Sequence, residues 1–209
     1  MLGGKKMNLD ELAARLQKVE DRLDIERLQR IFGYYLDNRM HKEAWQLFSK
    51  NAESIEIADR GVFKGNEGVR KFFVEYLGIE NEIAKPGLFS FHMQLQGVVT
   101  VNPDGQTANG RWYLIMIQAR PYPVGGPIRS VLAHGVYENE YVKEDAVWKF
   151  KKVFMSLHFR SPIGEGWATT PMIGGGRASQ SDAPPTNYHP YPHLKPLPVH
   201  WNQPGELSR

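Results

Sequence analysis

Near the start of the chain the apolar residues fall at Leu9, Leu12, Leu16, Val19 and Leu23, spaced alternately three and four, before Ile25, Leu28 and Ile31 shift the stripe. That period predicts a helix from Asn8 to about Arg30, with Asn8 as its cap and Glu11 as the reciprocal partner of a capping box. Two heptads are too few to specify a coiled coil, so the first part reads as an arm packed on the body or on a neighbouring subunit. A second helical pattern, Glu43 to Phe48, follows a break at residues 38 to 41. Ser54 to Ala58 then alternates with period two and Gly61 to Gly65 reads as its hairpin partner. Asn66 to Leu77 is helical again, with Val69, Phe72, Phe73 and Leu77 on one side.

Past Pro86-Gly87 the pattern turns to sheet. Leu88 to Val101, Thr107 to Ala119, Ile128 to Val142 and Val147 to Phe159 are separated by Asn102-Pro103-Asp104-Gly105, by a loop rich in proline and glycine from Arg120 to Pro127, and by Lys143 to Ala146. Helices followed by long antiparallel strands predict an α+β domain, a cone-like curled antiparallel sheet packed against N-terminal helices with a cavity on its concave side. The chain divides into a helical arm (1 to 24), the domain (25 to 161) and an extended C-terminal tail rich in proline and glycine (162 to 209). The tail has no sustained period and cannot build a core of its own. Its aromatic residues, Trp167, Tyr188, Tyr191 and Trp201, favour a path along the domain or over a neighbour, covering a pocket of one or the other.

Composition removes several classes of function. The 209 residues carry 26 basic and 23 acidic side chains, intermixed, for a formal charge of +3, which gives no basic stripe for nucleic acid. There is no cysteine, so disulfides, thiolate nucleophiles and cysteine zinc sites are excluded. The first residues lack the apolar stretch of a signal peptide and no segment is apolar enough to span a membrane, so a cytoplasmic location is expected. His92, His134 and His158 lack the helical spacing of a zinc motif, and no phosphate loop, dinucleotide fingerprint or serine elbow is present. No metal and no cofactor are expected.

The chemistry-bearing residues gather around Phe91-His92-Met93-Gln94-Leu95-Gln96, where alternation places His92, Gln94 and Gln96 on one side. That row either faces solvent, as ordinary alternation, or lines the cavity while the apolar row packs elsewhere. An imidazole can take or give a proton near neutral pH if a partner fixes its ring. Asp37, closing the first helix in Tyr34-Tyr35-Leu36-Asp37, is such a partner, although an aspartate near a helix end is also an ordinary cap. Tyr34 is a candidate phenolic donor and Tyr35 a candidate substrate contact. Gln94, Arg111, Trp112, His134 and Glu138 are further binding candidates, with Trp112 as a flat wall for an aromatic ring and Arg111 as an anion holder. A cross-strand salt bridge from Arg111 to Glu138 or Glu140 is the competing account.

The runs Ile25 to Arg30, Gly33 to Asp37, Leu47-Phe48, Gly61 to Gly65, His92 to Gln96, Pro103-Asp104-Gly105 and Gly135 to Tyr141 with Trp148-Lys149 resemble, in order and spacing, the SnoaL-like proteins of the nuclear-transport-factor-two-like superfamily. The resemblance spans residues 25 to about 160. It implies the cone fold and cofactor-independent chemistry of the kind found in scytalone dehydratase, a bile-acid dehydratase, a hexachlorocyclohexane dehydrochlorinase and ketosteroid isomerase. In the eliminating relatives an aspartate on the first helix and a histidine on the first long strand form the acid/base pair, positions that Asp37 and His92 look like. Phe32 departs from some dehydratases, which carry tyrosine there, so Tyr34 or Tyr35 is expected to replace that phenol.

The long body and tail are similar to a subgroup that includes γ-formaldehyde lyases of lignin-derived diarylpropanes. The expected function is therefore a lyase acting on a hydroxylated aromatic molecule. A dehydratase or isomerase using the same pair is the first alternative, and a non-catalytic binding module the second. A second apolar sheet face and the amphipathic arm predict a homo-oligomer, and the resembling families, which include trimers and dimers, put a trimer slightly before a dimer. The expected partner is a small aromatic substrate, with no nucleic acid and no membrane.

Overall fold

The computed structural model describes residues 8–78, 87–122, 126–174 and 176–186. Helix α1 (Leu9–Asp37) opens with the capping box: the Asn8 side chain accepts from the Glu11 N–H, and the Glu11 carboxylate accepts from the Asn8 N–H. The helix runs past the expected end at Arg30. Ile25, Leu28 and Phe32 form a second stripe that is buried against the sheet and carries the helix on to Asp37. The first stripe behaves differently, with Leu9, Leu12, Leu16, Val19 and Leu23 all about half exposed or more. The arm is nevertheless tied down at Asp21, which accepts from the Lys143 ammonium and, at 3.0 Å, from Trp148 Nε1.

Helix α2 (His41–Gln46), strands β1 (Ser54–Ile57) and β2 (Val62–Lys64), and helix α3 (Gly65–Arg70) follow. Helix α3 passes directly into a π-helical turn (Lys71–Leu77). The long strands are β3 (Phe89–Val101), β4 (Thr107–Pro121), β5 (Ile128–Glu144) and β6 (Val147–Pro162). All six strands form one sheet in the order β2-β1-β6-β5-β4-β3. The short hairpin is thus not a separate pair: β1 joins β6 in parallel, while every other pairing is antiparallel.

Alternation along β4 and β5 sorts the two faces. Trp112, Leu114, Met116 and Gln118 pair in register with Tyr137, Gly135, Ala133 and Val131, and all line the buried concave face. Phe32 of α1 fills that concavity, its ring 5.0 to 6.3 Å from those of Phe48, Phe73, Tyr137 and Phe150. The convex face keeps Phe91, Leu95, Val98 and Tyr113 partly exposed. Residues 171–174 and 176–186 run beside this body: the Arg160 N–H donates to the Pro171 carbonyl, the Ile173 N–H donates to the Arg160 carbonyl, and Ala183 bridges to Val62. Tyr188, Tyr191 and Trp201 lie outside the described residues. Among the described residues no helix is long and apolar enough to cross a membrane.

Candidate active site

A carboxylate at a helix C-terminus faces the negative end of the helix dipole, and the last turn of α1 carries no basic residue to offset it. Asp37 is held there by β3. As the edge strand of the sheet, β3 turns some backbone N–H groups away from the ladder, and the N–H of His92 donates to Asp37 Oδ1 at 2.9 Å. The same oxygen lies 2.7 Å from His92 Nδ1. A carboxylate accepts only, so Nδ1 carries a proton, which in the neutral tautomer leaves the lone pair on Nε2. Both side chains are largely shielded, at 13% and 15% exposure. The close approach of strand and helix depends on Gly33, where a Cβ would stand 2.7 Å from Gln94 Nε2 and 3.7 Å from the His92 carbonyl.

His92 forms part of the wall of a cavity of about 620 Å³ between the concave face and the helices. Phe32, Leu36, Ile57, Phe72, Leu77, Met116, Met155 and Leu157 supply an apolar lining. His41, Ser90, Gln118, Tyr137 and four arginines, Arg39, Arg60, Arg120 and Arg160, join His92 in the polar part. Burial, reinforced by the nearby Asp37 charge, pushes the Tyr137 phenol well above its ordinary pKa, so it stays protonated and able to donate. At the opposite wall Arg160 Nη2 reaches both oxygens of Asp59 at 3.2 Å. Burial pushes the Asp59 carboxyl up. The charges of Arg160 and Arg60, with the Gly176 N–H, outweigh that and hold it below the usual carboxylate range.

The expected site residues are only partly brought together here. Asp37 and His92 meet as described. Tyr34 is 70% exposed on α1 and turned away from the cavity, so it is corrected to a surface residue. Tyr35 packs against the core beside the cavity without lining it. Gln94 shares the inner face with His92 but is bound to the Gln29 amide. Gln96 does not continue the row: a bulge between Leu95 and Val98 breaks the alternation and leaves it exposed. Trp112 is buried rather than a substrate wall, its ring against Gly97 and its Nε1 donating to Tyr141 at 3.0 Å. Arg111 and Glu138 pair across strands at 3.5 Å on the convex face, and His134 is also there, 2.8 Å from His158 between their Nδ1 atoms. Odd and even positions of β4 and β5 could not be assigned to faces without the register, which is why these three were expected inside.

Sequence reasoning missed Tyr137 and the arginines. Tyr137 had a readable signal: it lies in the period-two row Ala133, Gly135, Tyr137, Asn139, Tyr141, which is buried throughout. Among the described residues no group of histidine and carboxylate side chains could hold a metal ion.

Comparison with known proteins gives this geometry its relatives. A family model described as a SnoaL-like domain matches residues 17–153. No curated protein matches the sequence. The fold is similar to that of a type 2 hexachlorocyclohexane dehydrochlorinase, at 23% identity and a TM-score of 0.57 over 71% of this chain and 93% of that one. A type 3 enzyme of the same name from Novosphingobium barchaimii gives 21% and 0.57 over 71% and 94%. A nuclear-transport-factor-two-like protein with a cystatin-like fold from Novosphingobium aromaticivorans gives 18% and 0.54 over 79% and 96%. At such identities the likeness is one of fold.

Proposed function

The chain belongs to the SnoaL-like family, and on that premise we propose that it is a cofactor-independent lyase that removes formaldehyde from a hydroxymethyl-bearing diarylpropane diol. The observation that carries this reading is the imidazole of His92, fixed through Nδ1 by Asp37 and set in the wall of a largely apolar cavity. The names of the similar dehydrochlorinases describe eliminations by those proteins, which is chemistry of the same general kind.

In the proposed reaction His92 Nε2 takes the proton of the primary hydroxyl, whose oxygen becomes the carbonyl of formaldehyde. The bond from that carbon to its neighbour breaks, its electron pair forms a carbon–carbon double bond, and the hydroxyl on the next carbon leaves. The imidazolium returns the proton to that hydroxyl, so one diol gives one stilbene, one formaldehyde and one water. Tyr137 holds a substrate hydroxyl by donating to it, taking the part expected of Tyr34. Asp37 keeps the ring in the tautomer that presents Nε2 and stabilises its protonated form.

The test is incubation of the purified protein with such a diol while formaldehyde and product mass are followed. Formaldehyde with a stilbene is expected, and His92→Gln is expected to lose about 10²- to 10⁴-fold in turnover while the fold is retained. Loss of water alone would make the protein a dehydratase using the same pair, and full turnover in His92→Gln would remove the pair from the chemistry.

A further inference from the structure

The concave face carries one row that joins the two polar ends of the cavity. His92 of β3 pairs with Met116 of β4, Met116 with Ala133 of β5, and Ala133 with Arg160 of β6. Three strand spacings separate the ends, about 14 Å of backbone before the curl of the sheet shortens the path. Met116 forms part of the apolar floor between them.

The Arg160 end is built for negative charge. Its side chain is 1% exposed, and two of its nitrogens are used: Nε donates to the Ile173 carbonyl at 2.5 Å and Nη2 to Asp59. The third, Nη1, is buried and has no hydrogen-bond acceptor among the described residues, an uncommon state for a charged donor. Arg160 and Arg120 both lie over the Tyr122 ring, at 5.6 and 5.5 Å, and Arg60 lies near enough to repel Arg160. No aspartate or glutamate is among the described residues lining the cavity. A planar guanidinium with a spare N–H at a buried position favours a carboxylate.

We propose that the cavity takes an elongated aromatic carboxylate, its anionic group held at Arg160 and its reacting carbon at His92. This rests on the preceding reading for the His92 end only. Two rings joined by a short bridge cover the apolar lining between and around these ends, which a single-ring carboxylate leaves largely uncovered.

Binding of para-carboxystilbene and of its uncharged para-carboxamide, followed by stilbene fluorescence, tests the proposal. The wild type is expected to prefer the carboxylate by about tenfold or more, as charge-assisted bonds are worth roughly twice neutral ones. His92→Gln should keep that preference, and Arg160→Gln should lose it. Because Arg160→Gln leaves Asp59 buried without its partner, the double variant Asp59→Asn/Arg160→Gln provides a second measurement with both charges removed. Equal binding of carboxylate and carboxamide by the wild type, or a preference that survives in either folded Arg160 variant, overturns the proposal. So does benzoate binding as tightly as para-carboxystilbene. A carboxylate preference in a protein that releases no formaldehyde from any diol, charged or neutral, would sink the formaldehyde reading alone. Turnover of a neutral diol with no carboxylate preference would sink this one alone.

Discussion

Two polar clusters sit side by side on the concave face, and they differ in whether their bonds close. His92 and Gln94 are two residues apart on β3 and face the same way. Behind Gln94 the polar groups are spent on one another: the Gln29 side-chain oxygen accepts from Asn139 at 3.0 Å and from Tyr141 at 2.8 Å, Tyr141 accepts from Trp112, and the Gln29 amide meets the Gln94 amide. Gln29, Asn139, Tyr141 and Trp112 are all buried. Such a buried network fixes α1 on the sheet. Around His92 one ring nitrogen is committed to Asp37, the other has no hydrogen bond among the described residues, and His92 forms part of a cavity wall. Polar character alone does not separate a structural row from a chemical one; an unspent valence facing a cavity does.

The largest effect that would sharpen this contrast is expected from Asn139→Leu. It removes one of the two bonds to the Gln29 side-chain oxygen and the amide oxygen that accepts from the Phe154 N–H at 3.3 Å, so stability should fall by about 1–3 kcal/mol. Read from urea midpoints, that loss should come with unchanged turnover per folded molecule, the reverse of His92→Gln. A variant that kept its stability and lost turnover would merge the two clusters into one site.

A smaller effect, confined to acid, is expected at Asp21, where another closed cluster ties down the arm. Burial pushes this carboxyl up, but bonds from Lys143, Trp148 and Gln17 outweigh it and hold it below its ordinary value. A depressed carboxyl binds its proton less readily folded than unfolded. Its contribution is therefore complete above the unfolded value, near about 3.9, and is lost as pH falls through the lower folded one. Stability measured from neutral pH down to that range should fall less steeply in Asp21→Asn than in the wild type; parallel curves would mean the carboxyl is not linked to folding.

Much of this was legible in the chain. The capping box, the helix periods and the long strands followed from local pattern, and Asp37 was readable as a helix-end carboxylate able to fix an imidazole. What was not legible was register. Arg111, His134 and Glu138 read as polar groups among apolar ones, and only the pairing of β4 with β5 puts them on the convex face. The bulge after Leu95 hid the fate of Gln96 for the same reason, since one extra residue reverses every later assignment. Arg160 was missed because its partner Asp59 lies 101 residues away in sequence, so no local pattern joins them.

The smallest expected effect is at Tyr34, and it tests the boundary of the site. The backbone of this residue is used: its carbonyl accepts from the Asn38 N–H at 3.0 Å and from Asn38 Nδ2 at 2.8 Å, closing the helix one residue beyond Asp37. Its phenol has no hydrogen bond among the described residues, and the residue is 70% exposed and absent from the cavity lining. Tyr34→Phe keeps the backbone bonds and deletes only the hydroxyl, so stability should stay within about 0.5 kcal/mol and kcat/KM within about twofold. If kcat/KM instead fell by about tenfold while the urea midpoint stayed put, a loss of roughly 1.4 kcal/mol of transition-state stabilisation would have to come from a hydroxyl that cannot reach its own cavity. The phenol would then be acting in the cavity of another copy of the chain, and the open cluster around His92 would be completed from outside.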